Sequence, residues 1–117
     1  MFREVLSDLQ RRVEGTLAVS LMGLDGIAID SVNGANIPLE SLGAEFGSMI
    51  KSIRSSNTEL NTGEFQQFSV VTDKYITVLA SVTSDYFILM VMSPSGNYGK
   101  ARFELTKAKY ALQDELA

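Results

Sequence analysis

Tyr86-Phe87-Ile88-Leu89-Met90-Val91-Met92 decides how the rest of this chain must be arranged. The run carries no charge, and Ile88 to Met92 are apolar without interruption. A strand with one wet face alternates polar and apolar residues, whereas a strand covered on both faces has no need to. Ser93-Pro94-Ser95-Gly96-Asn97 then closes the run with a turn cluster that a helix could not continue through. The pattern predicts that 86–92 is the central strand of a sheet covered on both sides, with every other element its neighbour or its cover.

Immediately upstream, Tyr75 to Val82 is rich in β-branched residues and alternates loosely, and Thr83-Ser84-Asp85 turns it into the central run. Before it, a strand over roughly 63–72 holds Phe65, Phe68 and Val70 beside a wet Gln66-Gln67 pair, and Asp73-Lys74 supplies the turn. The three form a meander. With 86–92 central, the 63–72 strand lies outward at an edge, where free N–H and C=O groups invite pairing. It carries Phe65, Phe68, Val70 and Val71 with no proline and little charge. Left bare, such an edge is an aggregation hazard, so pairing with a second copy is the simpler expectation.

Downstream, a helix is predicted from Tyr98 to Leu116 with Ala101, Leu105, Ala108, Leu112 and Leu116 on one stripe. Phe103 and Tyr110 form a second stripe, which predicts that this helix has more than one neighbour. At the other end of the chain, Phe2, Val5, Leu6, Leu9 and Val13 fall at helical spacing, and Gly15 ends that helix. Strands over 16–22 and 26–32 follow, joined through Gly23-Leu24-Asp25-Gly26, whose Asp-Gly pair suits a tight hairpin with positive φ. Asp30 marks the second of these as a wetter, edge strand. Pro38 suits the first turn of a helix running to about Asn57, with Leu39, Leu42, Phe46, Met49, Ile50 and Ile53 as its apolar residues. The element order is therefore α-ββ-α-βββ-α, an α+β chain read as one domain over 1–117.

Composition narrows the function. With 117 residues, 45% of them hydrophobic and 21% charged, the chain can bury a core. Its net charge of −4 argues against a nucleic-acid binder. No apolar run approaches a membrane span, and acids interrupt the first residues where a signal peptide needs an apolar core, so no membrane insertion is expected and a cytoplasmic protein is. There is neither Cys nor His. That removes disulfides, thiolate and imidazole metal sites, the thiol nucleophile and the commonest acid/base. The expectation is a protein that is not an enzyme and holds no cofactor.

Two motifs test that expectation. Gly96-Asn97-Tyr98-Gly99-Lys100 joins a strand to a helix as a phosphate loop does, but Pro94 stands at the first glycine position and Ala101 at the magnesium-binding hydroxyl. It is read as ordinary turn chemistry. The carboxylate pairs Asp114-Glu115 and Glu40/Glu45 cluster with no other ligand at a recognisable spacing and are read as solvated surface. Gly43 and Gly47 are more informative, because glycine costs about 1 kcal/mol relative to alanine inside a helix. They make a groove beside the Leu42/Phe46/Ile50 stripe. Either the helix packs closely on its own sheet, or another backbone, most simply the same helix of a second copy, approaches there. The reading favours the second copy, because the main stripe already covers the sheet. Dimer-interface candidates are then Gly43, Gly47, Ile50, Phe65, Phe68 and Val70, and Lys51 and Arg54 are the cations to test for partner docking.

The element order, the hairpin Leu24-Asp25-Gly26-Ile27-Ala28-Ile29-Asp30, and the close from the apolar strand through Ser93-Pro94-Ser95-Gly96-Asn97-Tyr98-Gly99-Lys100-Ala101-Arg102 into a helix with Leu105, Ala108 and Leu112 together resemble the roadblock/dynein light chain family over nearly the whole chain. The resemblance implies a three-layer α/β/α, longin- or profilin-like domain with an antiparallel sheet of order 2-1-5-4-3. It also implies a homodimer in which third strands and second helices meet. Proteins of the family regulate or scaffold Ras-like small GTPases or serve as adaptor light chains, and bacterial members similar to MglB accelerate GTP hydrolysis by such a GTPase. Those members carry a tail beyond the last helix where this chain stops at Ala117, so no role of that tail is carried over. The implied function is a dimeric regulator or scaffold of a small GTPase. A nucleotide-independent adaptor and a small-molecule sensor or enzyme are the alternatives, the last requiring a buried pocket with convergent polar groups.

Overall fold

Three helices and five strands run along residues 2–116, the residues described by the computed structural model: α1 (Phe2–Arg12), β1 (Thr16–Gly23), β2 (Ala28–Asn33), α2 (Leu39–Leu60), β3 (Gln67–Val71), β4 (Ile76–Ser81), β5 (Tyr86–Met92) and α3 (Tyr98–Leu116). The strands form one antiparallel sheet in the order β2-β1-β5-β4-β3. β5 is central, as its unbroken apolar run requires. Ile88, Met90 and Met92 point into a core beneath α1 and α3, while Phe87, Leu89 and Val91 point into a second core beneath α2. All six are fully buried. The alternation of a strand is present here, but both of its phases meet protein.

The hairpin turns where Asp25-Gly26 predicts. Gly26 donates its N–H to the Gly23 carbonyl at 2.9 Å and adopts φ +87°, the conformation glycine alone takes without penalty. The Asp25 carboxylate accepts from the Ile27 N–H at 3.0 Å. Leu24 donates to the Asp85 carbonyl at 3.0 Å, which ties the hairpin tip to the turn before β5.

Two boundaries and one face assignment differ most from the sequence reading. α2 continues past Asn57 to Leu60, because the residue that stops it is Asn61, in the left-handed region at φ 56°, with the Thr62 N–H closing back on the Asn57 carbonyl at 3.0 Å. β3 begins at Gln67 rather than near 63: Phe65 precedes the strand and is buried as an anchor in the α2-side core. Met49, placed by its spacing on the apolar stripe, lies on the flank of α2 and is 43% exposed.

The strand-to-helix turn is the ordinary one expected. Asn97 caps α3, its side-chain oxygen accepting the Lys100 N–H at 3.0 Å. Gly15 and Gly96 sit back to back, so a Cβ built on Gly15 falls 2.6 Å from the Gly96 Cα. Behind this turn α1 packs on α3, β1 and β2. No helix among the described residues is long and apolar enough to cross a membrane.

Candidate functional site

The sheet has two outer strands, and they are finished differently. On β2, Asp30 meets Arg3 of α1, with Nε to Oδ1 at 2.8 Å and the terminal nitrogen at 2.6 Å. The guanidinium holds the Asp30 carboxyl below the usual carboxylate range and raises the Arg3 pKa in return. A charged pair on an edge is one of the devices that blunt it.

β3 has no such finish. The Ser81 N–H to Gln66 carbonyl bond and the Thr72 N–H to Tyr75 carbonyl bond, both 2.9 Å, bracket its ladder with β4. Antiparallel alternation between them turns Phe68 and Val70 toward β4 and points the N–H and C=O of Gln67, Ser69 and Val71 away from the sheet. Val71 is 67% exposed. The edge predicted at 63–72 is therefore present as β3, with its outward backbone groups at alternate residues.

Of the interface candidates, Phe68 and Val70 lie on this strand and are half-buried. Phe68 packs edge-on against Phe46, with ring centres 6.3 Å apart, and tilted against Phe65 at 5.6 Å. Phe65 and Ile50 are buried in the protomer's own core, so neither is available to a second chain.

Gly43 and Gly47 require a correction. The groove they make is filled by the chain's own hairpin. A Cβ on Gly47 falls 2.6 Å from the Leu24 carbonyl oxygen, and one on Gly43 overlaps the Met22 sulfur. A Cβ on Gly26 in turn falls 2.8 Å from the Ala44 Cα. Helix and hairpin tip meet backbone to backbone, and the glycines permit it. The side of α2 turned away from the sheet carries exposed Ser41, Glu45, Ser48 and Ser52, and the flank beside β3 carries Leu42, Phe46, Met49 and Ile53, of which Met49 is exposed.

The two cations also part company. Lys51 is exposed and has no ion pair among the described residues. Arg54 is a staple: it donates to the carbonyls of Ser84 at 2.7 Å and Thr83 at 3.2 Å and to the Ser81 hydroxyl at 3.1 Å, and it lies over the Phe65 ring at 6.0 Å. The three hydrogen bonds hold α2 to the end of β4 and the turn after it, and the ring contact holds it to the segment before β3. An approaching partner would have to break those bonds to use it, so Lys51 is the free cation and Arg54 is not.

α3 has more than one neighbour, as its two stripes predict: it packs on both α1 and β4. The stripe of Phe103 and Tyr110 faces neither, however, and among the described residues the two rings are 64% and 61% exposed, with Lys107 Nζ of the same helix 5.5 Å from the Phe103 ring centre. Every buried side-chain polar atom among the described residues has a hydrogen-bond partner, so none is left aimed at a ligand.

With this geometry in view, the chain is similar to MglC from Myxococcus xanthus, at 32% identity over 97% of this chain and 98% of that one, with a TM-score of 0.70. It is similar in fold to MglB from the same organism (18% identity, 98% and 94% covered, TM-score 0.88). The same holds for a Roadblock/LC7 domain from Streptomyces avermitilis (16% identity, 97% and 95% covered, TM-score 0.87). No family model and no curated protein matches the sequence. Of these three, MglC shares more sequence and the other two more of the backbone path, so the identity to MglC carries the kinship and the other two carry the fold alone.

Proposed function

Because this chain belongs to the Roadblock/LC7 family, we propose that it is a homodimeric, non-enzymatic binding module of the cytoplasm that regulates or scaffolds a Ras-like small GTPase. The observation that carries the dimer is the bare edge of β3. Two such edges, antiparallel about a two-fold axis, satisfy the outward groups of Gln67, Ser69 and Val71 and extend each sheet into the other. The same axis sets the two α2 helices side by side. The flank of each α2 that turns toward β3 carries Leu42, Phe46, Met49 and Ile53, and exposed Met49 is the apolar contact it offers the partner's helix. Phe68 and Val70 then stiffen the joint from behind.

The paired helices form the docking platform for the GTPase, with Lys51 the cation that reaches a partner. Family kinship supports this reading of the partner. The test is a pull-down with the small GTPases of the same genome loaded with GTP or GDP, followed by a GTP turnover assay. Selective capture of one nucleotide state, weakened by Lys51→Glu, is expected. Capture indifferent to nucleotide makes the protein an adaptor instead, and capture of no small GTPase overturns the proposal.

A further inference from the structure

The face of the sheet opposite α2 carries a second surface. There α1 and α3 lie over β2, β1, β5 and β4, and β3 meets only the first turns of α3, with the Ser69 hydroxyl 2.7 Å from the Tyr98 hydroxyl and Gln67 Nε2 donating to the Arg102 carbonyl at 3.5 Å. Between β3 and α3 runs a groove of about 530 Å³, walled by Phe103 and Tyr110 on one side and by Gln66 and Gln67 on the other. The two aromatic residues are seven positions apart, two helical turns or about 10.5 Å along one side of α3. Single exposed apolar residues need no explanation, but two large rings lining one groove do.

The charge around them is opposite to that of the whole molecule. Four of the ten Lys and Arg residues, Lys100, Arg102, Lys107 and Lys109, fall within positions 98–110, against one acid, Glu104. Glu104 is buried and already faces Arg12 at 3.8 Å and Lys107 at 3.6 Å. The cations on the groove itself have only neutral partners among the described residues. Lys109 donates to the Gln66 side-chain oxygen at 2.7 Å, and Arg102 lies over the Tyr98 ring at 5.8 Å. A carboxylate offered to either makes a bond about twice as strong as a neutral one. In a chain of net charge −4, such a patch beside exposed rings selects an acidic partner.

We propose that this groove receives an acidic amphipathic helix of a partner protein. It occupies the place a third helix of that layer would fill, and a helix is the form whose i and i+7 side chains match the spacing of Phe103 and Tyr110. Its aliphatic residues cover the two rings, and its carboxylates take Lys109 from Gln66 and reach Arg102. Nucleic acid fits less well, since two cations on an acidic protein neutralise little phosphate. The surface lies across the sheet from α2.

The experiment is an amide-resolved NMR titration of the isotope-labelled full chain with two synthetic helical peptides. One presents leucine at i, i+3 and i+7 flanked by glutamate; the other is identical but has lysine for glutamate. The acidic peptide should shift the amides of 66–67 and 99–110 and leave α2 unmoved. An Arg102→Glu, Lys109→Glu double variant should weaken it about tenfold, as should Phe103→Ser with Tyr110→Ser, while Lys51→Glu changes nothing. Thermal melts of the variants check that each remains folded. Equal binding of the lysine peptide, binding of the acidic peptide that the double variant leaves intact, or no binding at all overturns the proposal. So does a poly(U) oligonucleotide that binds these amides more tightly than the acidic peptide.

Discussion

Adding one methyl group at Gly47 separates two explanations for the paired glycines of α2. In the helix alone, Gly47→Ala stabilises by about 1 kcal/mol through propensity. Here the new Cβ meets the Leu24 carbonyl oxygen at 2.6 Å, and a backbone atom held in a hairpin cannot swing aside. The net effect should be a loss of about 1–3 kcal/mol in urea unfolding, seen equally in monomer and dimer. Gly43→Ala should cost less, because it meets the flexible end of Met22. A Gly47→Ala protein that unfolds like the parent but no longer dimerises restores the groove to a second copy. The sequence shows why a small residue is needed at these positions but not which backbone uses the space. That depends on where the hairpin tip comes to rest, and Leu24 and Gly47 are too far apart in the chain for any local pattern to register their meeting. Arg54 is a similar case, since its three acceptors are set by the turn after β4.

Among the elements, β5 was the most legible, because burial on both faces writes itself as an unbroken apolar run that needs no partner to interpret. The margins of α2 and β3 were less so. Phe65 has the strand-forming composition of its neighbours but serves as an anchor outside the strand, and Asn57 resembles a stop that Asn61 performs. The docking of α1 on β2 has a readable electrostatic component. Asp30 is held below its ordinary pKa first by the hydrogen bond from Arg3, against a smaller opposing effect of desolvation. A lowered carboxyl pKa contributes stability that is present above the unfolded value near 3.9 and is lost as pH falls through the folded value. Asp30→Asn should therefore be less stable than the parent at pH 7, and the gap should close on acidification below about pH 4. Urea melts of both proteins at pH 7 and pH 3 measure it. A gap that does not change with pH assigns the effect to packing rather than to the Arg3 pair. The pair is largely exposed, so the gap is small at either pH.

At the scale of the whole molecule, the unequal edges make a prediction about concentration. β2 carries the Asp30–Arg3 ion pair to α1, while β3 presents Gln67, Ser69 and Val71 to whatever can pair with them. If a second copy does so, folding and association are one equilibrium, and the melting temperature must rise with protein concentration. For a chain of this length, each tenfold increase should raise it by about 2–4 °C. Val71→Pro offers the matched control. Its missing N–H lies on the outer side of β3, so the ladder with β4 keeps every bond while the pairing edge loses one and gains a ring that obstructs the rest. The variant should sediment as a monomer at concentrations where the parent is a dimer, and its melting temperature should no longer depend on concentration. A variant that stays dimeric shows that the copies meet somewhere other than β3. In that event the α2 helices are not brought together by the sheet, and the platform proposed for the GTPase loses its geometric basis even if the GTPase itself binds.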